Sequence, residues 1–362
     1  MTMDMRAPAN ANAVTPRNRR RLPVGGWELA LTGLLAAVVV GFGAAAPGFY
    51  TGPASLLGLT ENFLPFGLVA LGLSLVILTG GIDLSVGAVA SLSAVLAAQL
   101  WSRFGVDIWA AAAVGVALGG VLGLVNAGVI LRLGIEPLIA TLGTSFLYGS
   151  AAVAAAGAEP PSGFPGGFTA LGTGTVDGVL PASLAGLVPI QLVVFAAFAV
   201  LFSALVARSP FGRVLVMVGY SPDAARYSGI RTGRVLVTAY AVSGAMASLA
   251  GLVLASYYDA VRPDMGDVLL LTAITMVVLG GVSIFGGEGT VAGVVVSVLV
   301  LGFLRQGMLI AGFSDMVTTM LTGAILLASI AVKNLFNRRG TGLANQIWAM
   351  IRRPEPPRAN PS

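Results

Sequence analysis

The chain has 362 residues, of which 56% are hydrophobic and 10% charged, with a mean hydropathy of +0.91 and a formal net charge of +5. Charged residues make up about 25% of a typical soluble domain, so this composition excludes an ordinary water-soluble globule. Cysteine and histidine are both absent, which excludes disulfides, thiolate or histidine catalysis and most zinc or haem sites. We therefore expect an all-α polytopic membrane protein without a bound metal.

Hydropathy predicts about ten membrane spans, each close to the ~20 residues with which a helix crosses the hydrocarbon core. In chain order they are residues 29–46, 63–79, 86–101, 108–130, 137–156, 187–207, 235–257, 268–283, 291–311 and 316–332.

The basic residues predict the orientation of these spans. With the N-terminus inside, all of the 20 lysines and arginines except Arg103, Arg262 and Arg305 fall in cytoplasmic tails and connections. Since basic connections stay in the cytoplasm, both termini are expected there, and the positive charge is explained by the membrane surface and not by nucleic acid. Residues 1–25 and 336–362 are predicted to be cytoplasmic tails, disordered over residues 1–25 and 340–362, around a transmembrane domain over residues 26–335.

A glycine pair, Gly80 and Gly81, interrupts the apolar pattern within residues 78–87, LTGGIDLSVG. Helix breaks and ionisable side chains persist at membrane depth only when they are buried in protein or line a wet cavity. The two glycines, Asp83 and Ser85 are therefore candidates for the wall or gate of a transport pathway. The alternative is that Asp83, assisted by Ser85, caps the helix that follows, and for Asp83 we favour the cap.

A second glycine-rich break covers residues 279–290, LGGVSIFGGEGT. Both breaks adjoin unusually short spans, and short, glycine-interrupted segments in both halves of a transporter point to its substrate pathway. The equal alternative is that each break is a tight cytoplasmic turn between two complete spans.

Single polar residues within spans have two possible uses. Asn126 is expected to hydrogen-bond a neighbouring helix, in preference to contacting substrate. Arg305 either extends to the interface or faces the pathway, where it would bind an anionic or strongly polar solute. The glycines at positions 119, 123 and 128 are expected to serve helix packing.

Residues 208–234 form the one sizeable polar connection between the predicted spans. Within it, Ser221 can cap a short helix, Pro222 suits the first helical position, and Asp223 complements the positive helix end. Gly229 can end the helix in a left-handed conformation. A capped helix outside the bilayer either docks a soluble partner or lies on lipid headgroups.

Three runs occur in order along the chain. They are LVILTGGIDLSVGAV over residues 75–89, GLVNAGVILRLGIEPLIATLGTSF over residues 123–146, and, within residues 211–293, FGRVLVMVGYSPDAARYSGI, SGAMASLAG and VVLGGVSIFGGEGTVAG. Together they resemble the permease subunits of bacterial ABC importers of the ribose/xylose/autoinducer-2 type. The chain departs from the family pattern at Glu136, Tyr148, residues 270–273 and residues 305–306, which are Arg and Gln, and these departures bear on the substrate and not on the transport mode.

The resemblance implies a non-catalytic permease of the bacterial inner membrane that imports a monosaccharide or similar small polar solute. It also implies a second permease subunit, identical or paralogous, a periplasmic substrate-binding protein and a cytoplasmic ABC ATPase. The ATPase would hold ATP and Mg²⁺, because this chain has no phosphate-binding GxxxxGK[ST] loop. Coupling to the ATPase would fall to Ser221, Pro222, Asp223, Ala224, Ala225, Arg226 and Gly229.

A self-contained transporter driven by an ion gradient is the alternative function. Such a protein needs an intramembrane carboxylate or histidine relay, and Asp83 is the only plausible member in this sequence. An ion-driven mechanism would also leave the capped cytoplasmic helix without a role.

Overall fold

The computed structural model describes residues 26–46, 48–176, 186–329 and 331, and the regular structure of these residues is helical. A 3₁₀ turn, Leu59–Asn62, joins the second and third α-helices. The α-helices are α1 (Gly26–Ala45), α2 (Pro53–Gly58), α3 (Leu64–Leu78), α4 (Val86–Phe104), α5 (Ile108–Leu133), α6 (Pro137–Ala156), α7 (Gly166–Thr173), α8 (Ile190–Arg208), α9 (Pro210–Tyr220), α10 (Pro222–Tyr227), α11 (Thr232–Tyr258), α12 (Asp267–Leu279), α13 (Val291–Ile310) and α14 (Asp315–Ser329).

Six of the described helices are long and apolar enough to cross a membrane, namely α1, α5, α6, α8, α11 and α13. A seventh span results if Pro53–Asn62 and α3, which are bent by 56° relative to each other, count as one. The helices α12 and α14 are apolar but shorter. The predicted all-helical, polytopic membrane fold is thus confirmed, whereas the count of about ten spans and the cytoplasmic location of both termini stay predictions.

The boundaries of the predicted spans agree with the structure to within a few residues, but three helices were not predicted. The first is α2, which leads into α3. The second is α7, which lies in the long connection between the predicted spans 137–156 and 187–207 and buries Phe168 to 1% exposure. The third is α9, in the polar connection over residues 208–234, where only the short capped helix was expected. The predicted tails, residues 1–25 and 336–362, lie outside the described residues.

The centre of the bundle is formed by α3 and α11. Every residue of α3 is buried, and α11 packs against α3, α4 and α5. A Cβ on Gly119 or Gly123 of α5 would overlap a backbone carbonyl oxygen of α11, so these two glycines serve helix packing as predicted. Gly128 has no heavy atom within 4 Å of an added Cβ, so the packing prediction is wrong at that position.

The described basic residues separate towards the two ends of the bundle. Arg132, Arg208, Arg213, Arg226, Arg231 and Arg234 stand at the ends of α5 and α8 and around α9, α10 and the start of α11. We call this the arginine-rich end. Arg103 stands at the last turn of α4, and Arg262 follows α11, at the opposite end.

Candidate functional site

The first glycine break leads back into the bundle instead of turning at its surface. It connects the end of α3 to the start of α4, and Asp83 within it is 1% exposed. The carboxylate of Asp83 reaches Ser243 of α11. Ser243 lies about 16 Å along α11 from Thr232, at 1.5 Å per residue. The Asp83 end of the break is therefore buried inside the helical bundle, where α4 begins, whereas Gly80 at its other end is exposed.

Asp83 is the centre of a buried hydrogen-bond network. Its Oδ1 accepts from the backbone N–H of Ser85 at 3.0 Å and from the Ser85 hydroxyl at 2.7 Å. Its Oδ2 accepts from the Ser243 hydroxyl at 3.1 Å. Asn126 Nδ2 donates to the Ser85 hydroxyl at 2.7 Å, and the Tyr148 hydroxyl donates to Asn126 Oδ1 at 3.2 Å. The network joins the break to α5, α6 and α11.

The network corrects the capping prediction for Asp83 and Ser85. Ser85 stands at the N-cap position of α4, but no side chain caps the helix there. Asp83 instead binds the N–H of Ser85, before the helix, and the hydroxyl of Ser243. The predicted interhelical bonding of Asn126 is confirmed.

Within the part of the chain that the structure describes, all hydrogen-bond donors to Asp83 are neutral groups. The ion pairs in that part of the chain join Arg262 to Asp264 and Arg305 to Asp315. A buried carboxylate without a neighbouring cation depends on its hydrogen bonds. The hydrogen bonds from Ser85 and Ser243 therefore stabilise the buried position of the Asp83 carboxylate.

Two further side chains satisfy the backbone of the break. The N–H of Leu84 donates to the Thr141 hydroxyl of α6 at 3.1 Å, and the Tyr240 hydroxyl of α11 donates to the Ile82 carbonyl at 3.3 Å. Freed backbone groups at membrane depth require such partners. No sequence pattern points to these residues, because the paired positions are 57 and 158 residues apart.

The second glycine break is a tight turn at the arginine-rich end, and there it meets the first break. The Ser283 N–H donates to the Glu288 carbonyl at 2.8 Å, which closes the turn. The Gly287 N–H donates to the carbonyl of Leu78, the last residue of α3, at 2.9 Å. A Cβ on Gly286 would lie 2.6 Å from the Gly80 nitrogen. The two breaks therefore touch through their backbones.

The end of α9 completes this contact. A Cβ on Gly219 would overlap the Leu78 carbonyl oxygen and lie 2.5 Å from the Gly287 nitrogen. Contacts this close require residues without a Cβ. We call Gly80, Gly219, Gly286 and Gly287 the glycine junction. The sequence indicated both breaks, but neither their contact nor the role of Gly219.

The predicted capped helix is present as α10. The Ser221 hydroxyl accepts from the Ala224 N–H at 3.3 Å, Pro222 is the first helical residue, and Asp223 lies in the first turn. Gly229 follows the helix with φ +79°. The predicted start and left-handed end of this segment are confirmed. Because α9 runs into α10 at Ser221, the glycine junction lies directly before this helix.

The exposed surface around α10 includes two aromatic side chains. Tyr220 is 80% exposed and Tyr227 is 93% exposed. Ala225 is 1% exposed and therefore belongs to the packed side of the helix. Arg226 donates through Nε to the Thr232 hydroxyl at 3.3 Å, which ties α10 to the start of α11.

Arg305 forms a link between α13 and α14. Its guanidinium lies 2.6 Å from the Asp315 carboxylate and 5.7 Å from the centroid of the Phe66 ring. From its position in the sequence, Arg305 is expected either at the interface or in the pathway, and the ion pair with Asp315 is not predicted. Because Asp315 neutralises the guanidinium, an anionic solute would have to displace it.

Comparisons with known proteins agree on one family. Residues 55–330 match the family described as the branched-chain amino acid transport system permease component. The chain is 38% identical over 315 residues to the autoinducer 2 import system permease protein LsrD of Klebsiella pneumoniae, covering 85% of this chain and 92% of the relative. For the protein of that name from Yersinia pseudotuberculosis the identity is 36%, with 86% and 92% coverage, and for that from Enterobacter sp. it is 38%, with 85% and 93%. No solved structure matches the chain.

Proposed function

This chain belongs to the family of permease components of branched-chain amino acid transport systems, and we propose that it is the permease subunit of an ABC importer for a small, sugar-like solute. The observation that carries the proposal is the identity of 36–38% to autoinducer 2 import permeases over most of both chains. The chain is a transport subunit and not an enzyme. Nothing in the comparisons favours an ion-driven transporter.

The proposal includes the parts that complete such an importer. A cytoplasmic ABC ATPase would supply ATP and Mg²⁺, a periplasmic binding protein would deliver the solute, and a second permease subunit would complete the pathway. We place the chain in the bacterial inner membrane with the arginine-rich end in the cytoplasm, because basic connections remain on that side. Both termini would lie there if the described spans and the shorter apolar helices amount to about ten crossings.

We propose that α10 docks on the ATPase, with Ser221, Pro222, Asp223 and Gly229 shaping the helix and Ala224 and Arg226 beside the contact. Ala225 contributes to the packing of α10 against the permease, since it is buried. The glycine junction would transmit movement, because its backbone contacts join α9 to both breaks. Displacement of α9 therefore bears on α3 and on the segment that holds Asp83.

The pathway candidates are Gly80, Gly81, Asp83, Ser85 and Asn126. In this conformation the three side chains are at most 1% exposed, so a solute would reach them only after α4, α5 and α6 move apart. Coupling between ATPase docking and pathway opening is then a two-state equilibrium that the ATPase biases. Arg305 would act in the same equilibrium by holding α13 to α14.

Uptake of radiolabelled autoinducer 2 or ribose into proteoliposomes tests the importer. We expect uptake to require the ABC ATPase, the binding protein and ATP together, because this chain has no nucleotide-binding loop. The control is the same vesicle with an ATPase that cannot hydrolyse ATP. Uptake that continues without the ATPase, under a proton or sodium gradient, would contradict the importer and support the ion-driven alternative.

Replacing Tyr227 by alanine should weaken ATPase binding about 30-fold. Removal of an aromatic anchor from an interface typically costs about 2 kcal/mol, and 1.4 kcal/mol corresponds to a factor of ten. The measurement is the affinity of the purified permease for the ATPase. Tyr258→Ala is the matched control, because Tyr258 is 61% exposed at the opposite end of α11. Equal affinities of the two variants would remove α10 from the docking surface.

A further inference from the structure

Phe285 is an exposed apolar side chain on a rigid turn. Its side chain is 75% exposed, although the glycines that follow it, Gly286 and Gly287, are buried. The turn over residues 283–288 is closed by the Ser283–Glu288 backbone hydrogen bond and by a bond of 2.9 Å from the Gly286 N–H to the Ser283 carbonyl. Because Gly286 and Gly287 belong to the glycine junction, the Phe285 ring is presented from a fixed backbone.

The turn lies next to the surface around α10. A Cβ on Gly287 would lie 2.8 Å from the Cα of Tyr220, and Tyr220 directly precedes Ser221 and α10. Phe285, two residues before Gly287, therefore lies beside the segment that leads into α10. It offers an apolar anchor next to the helix that the proposed function places on the ATPase, and a rigid aromatic anchor binds at a small cost in conformational entropy.

We propose that the turn over residues 283–288 is a second contact for the ABC ATPase, with Phe285 inserted into an apolar pocket of that protein. The inference rests on the proposed function and extends it. A protein pocket fits better than the lipid interface, because the turn is joined through Gly287 and Tyr220 to α10, the helix that the proposed function places on the ATPase.

The second contact changes how the ATPase would act on the permease. The ATPase holds α9 and α10 on one side of the glycine junction and the second break on the other. Its closure then alters the geometry across the junction, between Gly219 and Gly287, instead of displacing α10 alone. Phe285 is thereby a specificity element for the partner that can drive this permease.

Binding affinity gives the first test, with the ABC ATPase from the same genome that copurifies with the wild-type permease. Phe285→Ala should weaken ATPase binding about tenfold, with an unchanged unfolding midpoint in detergent because the ring is exposed. Phe104→Ala is the matched control, since Phe104 is 74% exposed as the last residue of α4, at the opposite end. If Phe285→Ala binds the ATPase as tightly as the wild-type permease does, the second contact is overturned. A wild-type permease that binds no ABC ATPase overturns the proposed function itself.

A fluorescent label gives the second test and separates protein from lipid. The chain has no cysteine, so Phe285→Cys can be labelled at a single position with an environment-sensitive fluorophore in nanodiscs. We expect added ATPase to shift the emission to the blue and to protect the label from an aqueous quencher. Quenching by brominated lipids that ATPase leaves unchanged would overturn the proposal in favour of a lipid contact.

Discussion

Gly219→Ala should uncouple ATP hydrolysis from uptake. A methyl group at this position overlaps the Leu78 carbonyl oxygen and lies 2.5 Å from the Gly287 nitrogen. Both obstacles are backbone atoms, which cannot rotate away, so α9 and the two breaks must separate. Overpacking of this kind costs about 1–3 kcal/mol, and a coupling free energy of that size changes an equilibrium about 5- to 150-fold. We expect the amount of solute taken up per ATP hydrolysed to decrease by a factor of about 5 to 150.

The measurement is uptake and ATP hydrolysis in the same proteoliposomes, with ATPase affinity determined separately. The variant should keep the contact between α10 and the ATPase, since Gly219 is not part of the exposed surface around α10, and the separate affinity measurement corrects the uptake ratio for any change in binding across the junction. Gly128→Ala is the control: Gly128 is also a helical glycine, but no heavy atom lies within 4 Å of an added Cβ. That variant should transport normally and gain up to about 1 kcal/mol in stability from helix propensity. A normal coupling ratio in Gly219→Ala would show that the glycine junction transmits nothing.

The sequence could predict the coarse fold and the capped helix because both depend on local physics. Apolar length fixes a membrane helix, and Ser221, Pro222 and Gly229 act on backbone groups within a few residues of themselves. The same local reasoning failed for Asp83. A carboxylate just before a helix is expected to bind that helix, whereas Asp83 accepts from Ser85, before the helix, through Oδ1 and from Ser243, 160 positions away, through Oδ2.

The glycine junction also depends on contacts between distant parts of the chain, which local sequence patterns do not predict. Both breaks could be recognised as interruptions of apolar runs, but their contact depends on how α3, α9 and the second break pack. Gly219 gave no separate signal, since a glycine within an apolar helix is common in membrane proteins. The sequence places Phe285 in a glycine-rich turn but does not predict whether its ring is buried. The structure shows that the side chain is 75% exposed.

Replacing Asp83 should have the largest effect on stability of any side chain in the buried network. Asp83→Ala removes the acceptor of the Ser85 N–H, the Ser85 hydroxyl and the Ser243 hydroxyl. Leaving a buried donor unsatisfied costs about 1–3 kcal/mol, so we expect a loss of about 3 kcal/mol or more in the free energy of unfolding. Asp83→Asn should lose much less, because the amide keeps the shape and one acceptor oxygen, and hydroxyl groups can both donate and accept.

A double-mutant cycle identifies the partner through which Asp83 acts. Asp83→Asn combined with Ser243→Ala should show a coupling energy of about 0.5 kcal/mol or more, as expected for residues in one hydrogen-bond network. Ser248→Ala is the control, since Ser248 is buried on the same helix but donates to the Gly115 carbonyl at 2.7 Å. Its effect should add to that of Asp83→Asn within about 0.5 kcal/mol. Additive effects in both pairs would contradict the network.

The same variants separate a structural role of Asp83 from contact with the solute. If Asp83 holds the break in place, Asp83→Asn and Ser243→Ala should change the unfolding free energy and the maximal uptake rate together, because α4 begins at this segment. If Asp83 instead binds solute, Asp83→Asn should raise the solute concentration at half-maximal uptake while Ser243→Ala leaves it unchanged. We expect the first pattern, because the Asp83 carboxylate is 1% exposed and accepts three hydrogen bonds from the protein itself.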